Sequence, residues 1–316
     1  MIGRVAAVTD PGRTRRHNED AYIIEPPLFA IADGMGGAQA GEVASGLATA
    51  ALKEAGADGG GEQRIEDLIQ QANRRVYDRS SSDPNTSGMG TTITVALVED
   101  DRVAFGHVGD SRAYLIRGKR MEQLTEDHSL VNELLKTGKL SREEAEVHPQ
   151  RSVITRALGT DPDVDVDTFS VPAENGDLFL LCSDGLTDMV PEESILEVVE
   201  RNRDDIERAL RALVKEANRG GGQDNITVVA FEIADGGPPL HDGETREHAV
   251  PTEDEDTLTE VDAVPVVDTS VVSVDEIQAE DKKVRRRHLR RRALAWLVVL
   301  ALLAAAAVFI YLRFVR

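Results

Sequence analysis

One cysteine in 316 residues leaves nothing to pair with inside the chain, so a disulfide framework is excluded. Cys182 lies in the apolar run Leu178-Phe179-Leu180-Leu181-Cys182 and reads as a small buried core residue in a reducing compartment. Basic residues are also scarce, with 36 Lys and Arg against 57 Asp and Glu, for a net charge of −21. Up to residue 231 the count is 25 bases against 41 acids, about −16. That argues against a nucleic-acid-binding body, although metal ions can invert the local field of an acidic site. No secretory pattern is present at Met1-Ile2-Gly3-Arg4-Val5, no internal repeat is found, and no His or Cys recurs at metal-ligand spacing. What is present is 41% hydrophobic content, enough for one large domain with appendages or two small ones.

The patterning predicts strands near residues 3–10, 21–24, 28–32, 90–98, 102–109, 113–117, 121–124, 177–183 and 226–233. Helical periodicity predicts helices over 39–54, 65–79, 191–199 and 204–218, with two short helical pieces in 129–148 around Thr137-Gly138. Several strands follow one another without helices between them, and the helices come in pairs. That order points to an α+β fold with mostly antiparallel sheets.

After Ile233 the composition changes. Residues 234–281 are acidic and read as a disordered, self-repelling linker whose single base is Arg246. Residues 282–292 carry eight Lys or Arg, and 293–312 are twenty residues without charge, long enough to cross a hydrocarbon core as a helix. Trp296 and Tyr311 sit near its two ends, and 313–316 form a short tail. The basic block favours a cytoplasmic position, which makes the chain a single-pass membrane protein with its body (1–233) in the cytoplasm.

The chemistry is carried by acids at strand ends. Glu19-Asp20 precedes a strand, Asp33-Gly34 and Asp184-Gly185 each end one, and Asp224-Asn225 opens the last one after Gly220-Gly221-Gly222. A lone Asp in such a place is more often a turn residue than a ligand. Four in one domain, beside glycine-rich loops, point instead to convergent ligation. An all-oxygen donor set selects Mg²⁺ or Mn²⁺ over Zn²⁺.

The motifs Arg15-x-x-Asn18-Glu19-Asp20, Asp33-Gly34-Met35-Gly36-Gly37, Gly90-Thr91-Thr92, Gly109-Asp110-Ser111-Arg112, Ser183-Asp184-Gly185 and Asp224-Asn225-Ile226-Thr227 occur in this order. Together they resemble the metal-dependent Ser/Thr protein phosphatases of type 2C in their bacterial form, over about residues 3–233. The resemblance implies an α-β-β-α sandwich, two mostly antiparallel sheets flanked by helices, here followed by the single transmembrane helix. It further implies two Mn²⁺ or Mg²⁺ ions, possibly three. Asp33 would bridge two of them with help from the Gly34 carbonyl, Asp184 and Asp224 would complete the first, and Glu19 and Asp20 would serve the second. Asp110 with Asp184 resembles a third-metal site, assisted by Ser152. Arg15 would clamp the substrate phosphate, as a bidentate guanidinium suits a phosphoryl dianion. Catalysis would be in-line attack on phosphorus by a water shared between the two cations, with no covalent phosphoenzyme.

One departure matters: some members carry a His, the suggested general acid, where this chain has Met35. His17 and His128 are alternatives by position, and both read more simply as surface or flap residues. The segment 127–156 resembles the family's mobile flap.

The reading that follows is a phosphoserine/phosphothreonine protein phosphatase at the membrane, monomeric in its catalytic body. Its substrates would be phosphorylated Ser/Thr proteins, membrane Ser/Thr kinases and their targets among them, and not nucleic acid. A non-catalytic membrane-tethered scaffold is disfavoured by intact acids at every metal position, and a metal-dependent nuclease by the acidic body and the motif order.

Overall fold

All five phenylalanines between residues 2 and 234 converge in one layer. Phe29 stacks on Phe231 at 4.2 Å, Phe231 on Phe179 at 5.2 Å, and Phe105 meets Phe179 at 5.8 Å and Phe169 at 5.2 Å. Each buried ring contributes about 1.5–3 kcal/mol by leaving water, with offset stacking adding about 0.5–1.5 kcal/mol per pair. This layer is where two sheets meet.

The protein is described by a computed structural model over residues 2–36, 40–56, 59–146 and 148–234. The chain opens with β1 (Ile2–Asp10), β2 (Asp20–Glu25), β3 (Leu28–Met35), α1 (Ala40–Ala55) and α2 (Gly61–Ser82). Then come β4 (Gly90–Thr91), β5 (Ile93–Val98), β6 (Arg102–Val108), β7 (Arg112–Arg117), β8 (Arg120–Gln123), α3 (Leu130–Lys136) and α4 (Arg142–Glu146). The described elements finish with β9 (Asp167–Pro172), β10 (Leu178–Cys182), α5 (Asp184–Thr187), α6 (Glu192–Arg201), α7 (Ile206–Gly220) and β11 (Ile226–Ile233).

One sheet has the order β1-β11-β10-β7-β8 and the other β2-β3-β5-β6-β9, with β4 added to β3; every pairing is antiparallel. Alternate residues of each strand face opposite ways. Phe29, Ile31, Phe179, Leu181, Val229 and Phe231 fill the space between the sheets. The opposite faces pack under helices: Ala30, Ala32 and Val95 against Ala44, Ala48 and Leu68, and Leu180, Val228 and Ala230 against Leu210, Leu213 and Ala217. The small residues Ala44 and Ala48 let α1 lie close to its sheet. This is the expected α-β-β-α arrangement.

Two local expectations are corrected, and one strand is added. The strand predicted over 90–98 is broken at Thr92. There the backbone N–H of Thr92 donates to the Asp33 carbonyl at 2.9 Å, and its hydroxyl accepts from the Asp33 N–H at 3.0 Å. A side chain thus replaces one rung of the ladder, and β4 is freed to extend β3 past Asp33. Asp33 therefore sits inside β3, not at its end. Strand β9 is not legible in the sequence, because an edge strand with half-buried residues and a terminal Pro carries little periodicity. The acidic linker, the basic block and the membrane helix expected after residue 233 lie, apart from Ala234, outside the described residues. Among those, no helix is long and apolar enough to cross a membrane.

Candidate metal centre

Antiparallel pairing brings the acidic strand ends to one edge of the sandwich. Asp20, at the start of β2, stands directly across from Asp33 near the end of β3. Asp184 follows β10 and Asp224 precedes β11, whose register pairs Cys182 with Val228. Asp110 lies in the turn before β7, where Arg112 pairs with Cys182.

Glycines make this convergence sterically possible. A β-carbon on Gly34 would run into the Gly41 carbonyl and lie 2.6 Å from that of Glu19. On Gly41 it would meet the Glu19 carboxylate at 2.5 Å, and on Gly185 it would overlap the Asn225 carbonyl. The start of α1, the Glu19 carboxylate and the Asp184 turn can only approach this closely with bare backbone between them.

Asn225 holds the edge together. Its amide donates to the carbonyls of Pro11 and His17, each at 3.0 Å, and its carbonyl oxygen accepts the Glu19 N–H at 2.7 Å. The 11–19 loop, with Arg15 and Glu19, is thereby tied beside Asp224. Arg15 Nη2 contacts Asp224 Oδ2 at 2.8 Å. Ser183 donates to Asp20 Oδ2 at 2.9 Å and accepts the Thr227 N–H at 3.0 Å.

Like charges directly opposite each other on a sheet are unfavourable, and here they are not neutralised by bases. Burial, followed by the neighbouring carboxylates, pushes Asp33 and Asp184 well above the usual carboxylate range. Burial raises Asp20 to about 6 against opposing hydrogen bonds from Thr227 and Ser183, and Asp110 to about 7 with help from Asp127 and Asp188. Glu19 is raised by burial, against the pull of Arg15. Burial works to lower Arg15, but Asp224 outweighs it and the guanidinium is held above its ordinary value.

Two carboxylate oxygens, Asp20 Oδ1 and Asp184 Oδ1, are buried with no hydrogen-bond partner among the described residues. Orphaned anionic oxygens at an all-oxygen, mutually repelling cluster fit a hard divalent cation. The cluster is not a finished cage: among the described residues no three His, Cys, Asp or Glu side chains already stand at metal-ligand spacing. Arg15 occupies one of the Asp224 oxygens.

The structure therefore brings Arg15, Glu19, Asp20, Asp33, Gly34, Asp184 and Asp224 together, with Asp110 alongside. It does not bring Ser152 into hydrogen-bond contact with any of them. The neighbouring Arg151 is the residue that reaches this side, 3.7 Å from Asp188. His17 is exposed, as expected, whereas His128 is buried and not a surface residue. Sequence reasoning missed Asn225 as the tie, and Asp127 and Asp188 as further acids. Asp188 had a signal, its spacing of four from Asp184 across one helical turn. Cys182 is buried, and its thiol is pushed up to about 12, the value of an inert core residue.

A family model described as protein phosphatase 2C matches residues 14–219. A serine/threonine phosphatase of Listeria innocua is 43% identical over 236 residues, covering 71% of this chain and 93% of that protein. The crystal structure of the Mycobacterium tuberculosis serine/threonine phosphatase PstP superposes with a TM-score of 0.71 at 39% identity, over 74% of this chain and all of that one. The PstP catalytic domain in complex with two manganese ions gives 0.67 at 37% identity, over 74% of this chain and 99% of that one.

Proposed function

From the premise that this chain belongs to the protein phosphatase 2C family and is a metal-dependent serine/threonine phosphatase, we propose that phosphoserine and phosphothreonine are hydrolysed at the carboxylate edge described above. The observation that carries this is the pair of orphaned oxygens on Asp20 and Asp184 within a cluster of raised carboxyl groups. Asp33 would be shared by two Mn²⁺ or Mg²⁺ ions, the Gly34 carbonyl helping to hold one of them; Asp184 and Asp224 would complete the first, and Glu19 and Asp20 would serve the second. Asp110 and Asp184 would serve a third, with Ser152 reaching it only if the 127–156 segment shifts. When bound, such ions supply a water nucleophile at neutral pH and offset charge on the phosphoryl oxygens.

The chain's own residues do the rest. Arg15 is half-exposed beside Asp224, placed to exchange one carboxylate contact for two contacts with a phosphate. Ser183 and Thr227 fix Asp20, and Thr92 fixes the backbone of Asp33. Met35 carries no proton to give, and His128 is committed to other partners, so neither is placed to protonate the leaving alkoxide oxygen.

The decisive experiment is phosphate release from a phosphothreonine peptide by the full chain with Mn²⁺, with EDTA, and as Asp33→Ala with Mn²⁺. Release should need both the metal and Asp33, falling at least about a thousandfold without either. Metal-dependent release that survives Asp33→Ala would refute the site.

We further propose that residues 293–312 anchor the enzyme in the membrane, with 282–292 on the cytoplasmic side. The catalytic body would then act as a monomer on membrane Ser/Thr kinases and their substrates, where tethering raises the effective concentration. The support is the uncharged twenty-residue run behind eight basic residues. Alkali-washed membranes should retain the full chain and lose a chain ending at residue 281. Equal release of both would overturn the anchor.

A further inference from the structure

His107 and His128 are the least exposed imidazoles among the described residues, at 0% and 6%, with ring centroids 4.8 Å apart. Burying such polar rings is costly unless their nitrogens are satisfied. The His107 Nε2 faces the Glu126 carbonyl at 3.1 Å, so it donates there, and Nδ1 accepts from the Thr94 hydroxyl at 2.9 Å. His128 Nδ1 accepts the Gly109 N–H at 3.0 Å. Its proton is therefore on Nε2, which donates to Asp167 Oδ2 at 3.1 Å. Arg156 Nη1 lies 3.1 Å from the same Nε2 but directs its own hydrogens at Asp167 Oδ1 and the Asp165 carbonyl.

The main chain of His128 repeats the grip. Its N–H donates to the Gly109 carbonyl at 2.7 Å, so both polar groups of Gly109 are held by one residue. Gly109 has φ +116°, and a β-carbon there would lie 2.5 Å from that of Thr92, so this conformation and contact require glycine. The next residue is Asp110. On its far side Ser111 bonds Thr92 at 2.8 Å and Arg112 clamps Asp127 with contacts down to 2.6 Å.

The same stretch is the root of the 127–156 segment. The His128 carbonyl accepts the Thr155 N–H at 2.8 Å, Leu130 N–H donates to Val153 at 2.9 Å, and Ser129 bridges Ile154. We propose that His128 is a positioning residue that couples the 127–156 segment to Asp110: its ring and backbone fix the Gly109–Asp110 turn while its carbonyl closes the base of the segment. The function of this coupling rests on the reading of Asp110 as a metal residue.

The test uses the full chain and Mn²⁺ alone as the probe. His128→Leu should speed amide exchange at Gly109 and weaken the loosest Mn²⁺ binding event about tenfold by calorimetry, leaving tighter events unchanged. In an Asp110→Ala background, His128→Leu should add no further loss of Mn²⁺ binding. His128→Asn places an acceptor near the Nδ1 position and should restore binding, whereas His128→Gln, reaching toward Nε2, should not; this pair decides the matter if the Leu variant does not fold. Wild-type binding by Asp110→Ala would overturn the reading of Asp110, and the proposal with it. A weakened Asp110→Ala beside an unaltered His128→Leu, or equal effects of Asn and Gln, would overturn the proposal alone.

Discussion

Replacing Asn225 tests whether the active edge is held together from within. The side chain is 3% exposed and makes three hydrogen bonds to main-chain groups, those of Pro11, His17 and Glu19. Asn225→Ala strands one N–H and two carbonyls. At about 1–3 kcal/mol for each unpartnered buried group, reduced where water enters, the loss should be about 3 kcal/mol. For a domain of this size that corresponds to a fall in Tm of about 6–12 °C. The nearly isosteric Asn225→Asp should be at least as harmful, because it sets a negative oxygen against two carbonyls and beside Asp224. Guanidinium melts of the EDTA-treated variants measure the stability term. Mn²⁺ activation curves measure the second consequence, since the loop that loses its tie carries Arg15 and Glu19. If Asn225→Ala costs less than about 1 kcal/mol, or Asn225→Asp is milder than Asn225→Ala, the three-bond account is wrong.

Two other outcomes follow from the same geometry. Gly41→Ala should gain slightly in helix propensity yet push a methyl onto the Glu19 carboxylate, 2.5 Å away. Half-maximal activation should then need about tenfold more Mn²⁺, and the melt should fall as well because the methyl also lies 2.8 Å from the Gly34 main chain; an unaltered activation curve would refute the contact. His107 gives a pH prediction. Burial depresses it to about 3, so its stability contribution is complete above the unfolded value near 6.5 and is lost as pH falls through it toward 3. On going from pH 6.5 to 5.5 the wild type should lose about 1 kcal/mol more than His107→Gln. Parallel pH curves for the two proteins would show that the imidazole does not resist protonation.

Much of this protein is legible from local pattern. Continuous apolar and β-branched runs mark β5, β10 and β11, which are buried on both faces, shorter apolar segments mark β1 and β7, and helical periodicity marks α1, α2, α6 and α7, because each helix must present one apolar face to a core. Asp33 and Asp184 could be singled out because each stands beside glycine where an apolar run stops, and Asp224 because it closely follows Gly220-Gly221-Gly222 just before one starts. The composition of 234–312, acidic, then basic, then uncharged, is equally plain in the sequence, and the anchor it suggests lies outside the described residues.

Other features depend on residues far apart in the chain, and no local window contains them. Asn225 bonds Glu19 across 206 positions, and Arg15 meets Asp224 across 209. The break at Thr92 depends on Asp33, 59 residues earlier, and strand β9 is one only because β6 offers it an edge. His128, which by sequence reads as a surface or flap histidine, is instead buried around Gly109. The sequence alone determined which residue types stand at strand ends and which faces are apolar, since these follow from propensity and burial of single elements. Only the tertiary structure decided which carboxylates face each other, which are left without a partner and which side chains tie them, because hydrogen bonding and charge repulsion depend on distances of a few ångströms that antiparallel register and glycine contacts set.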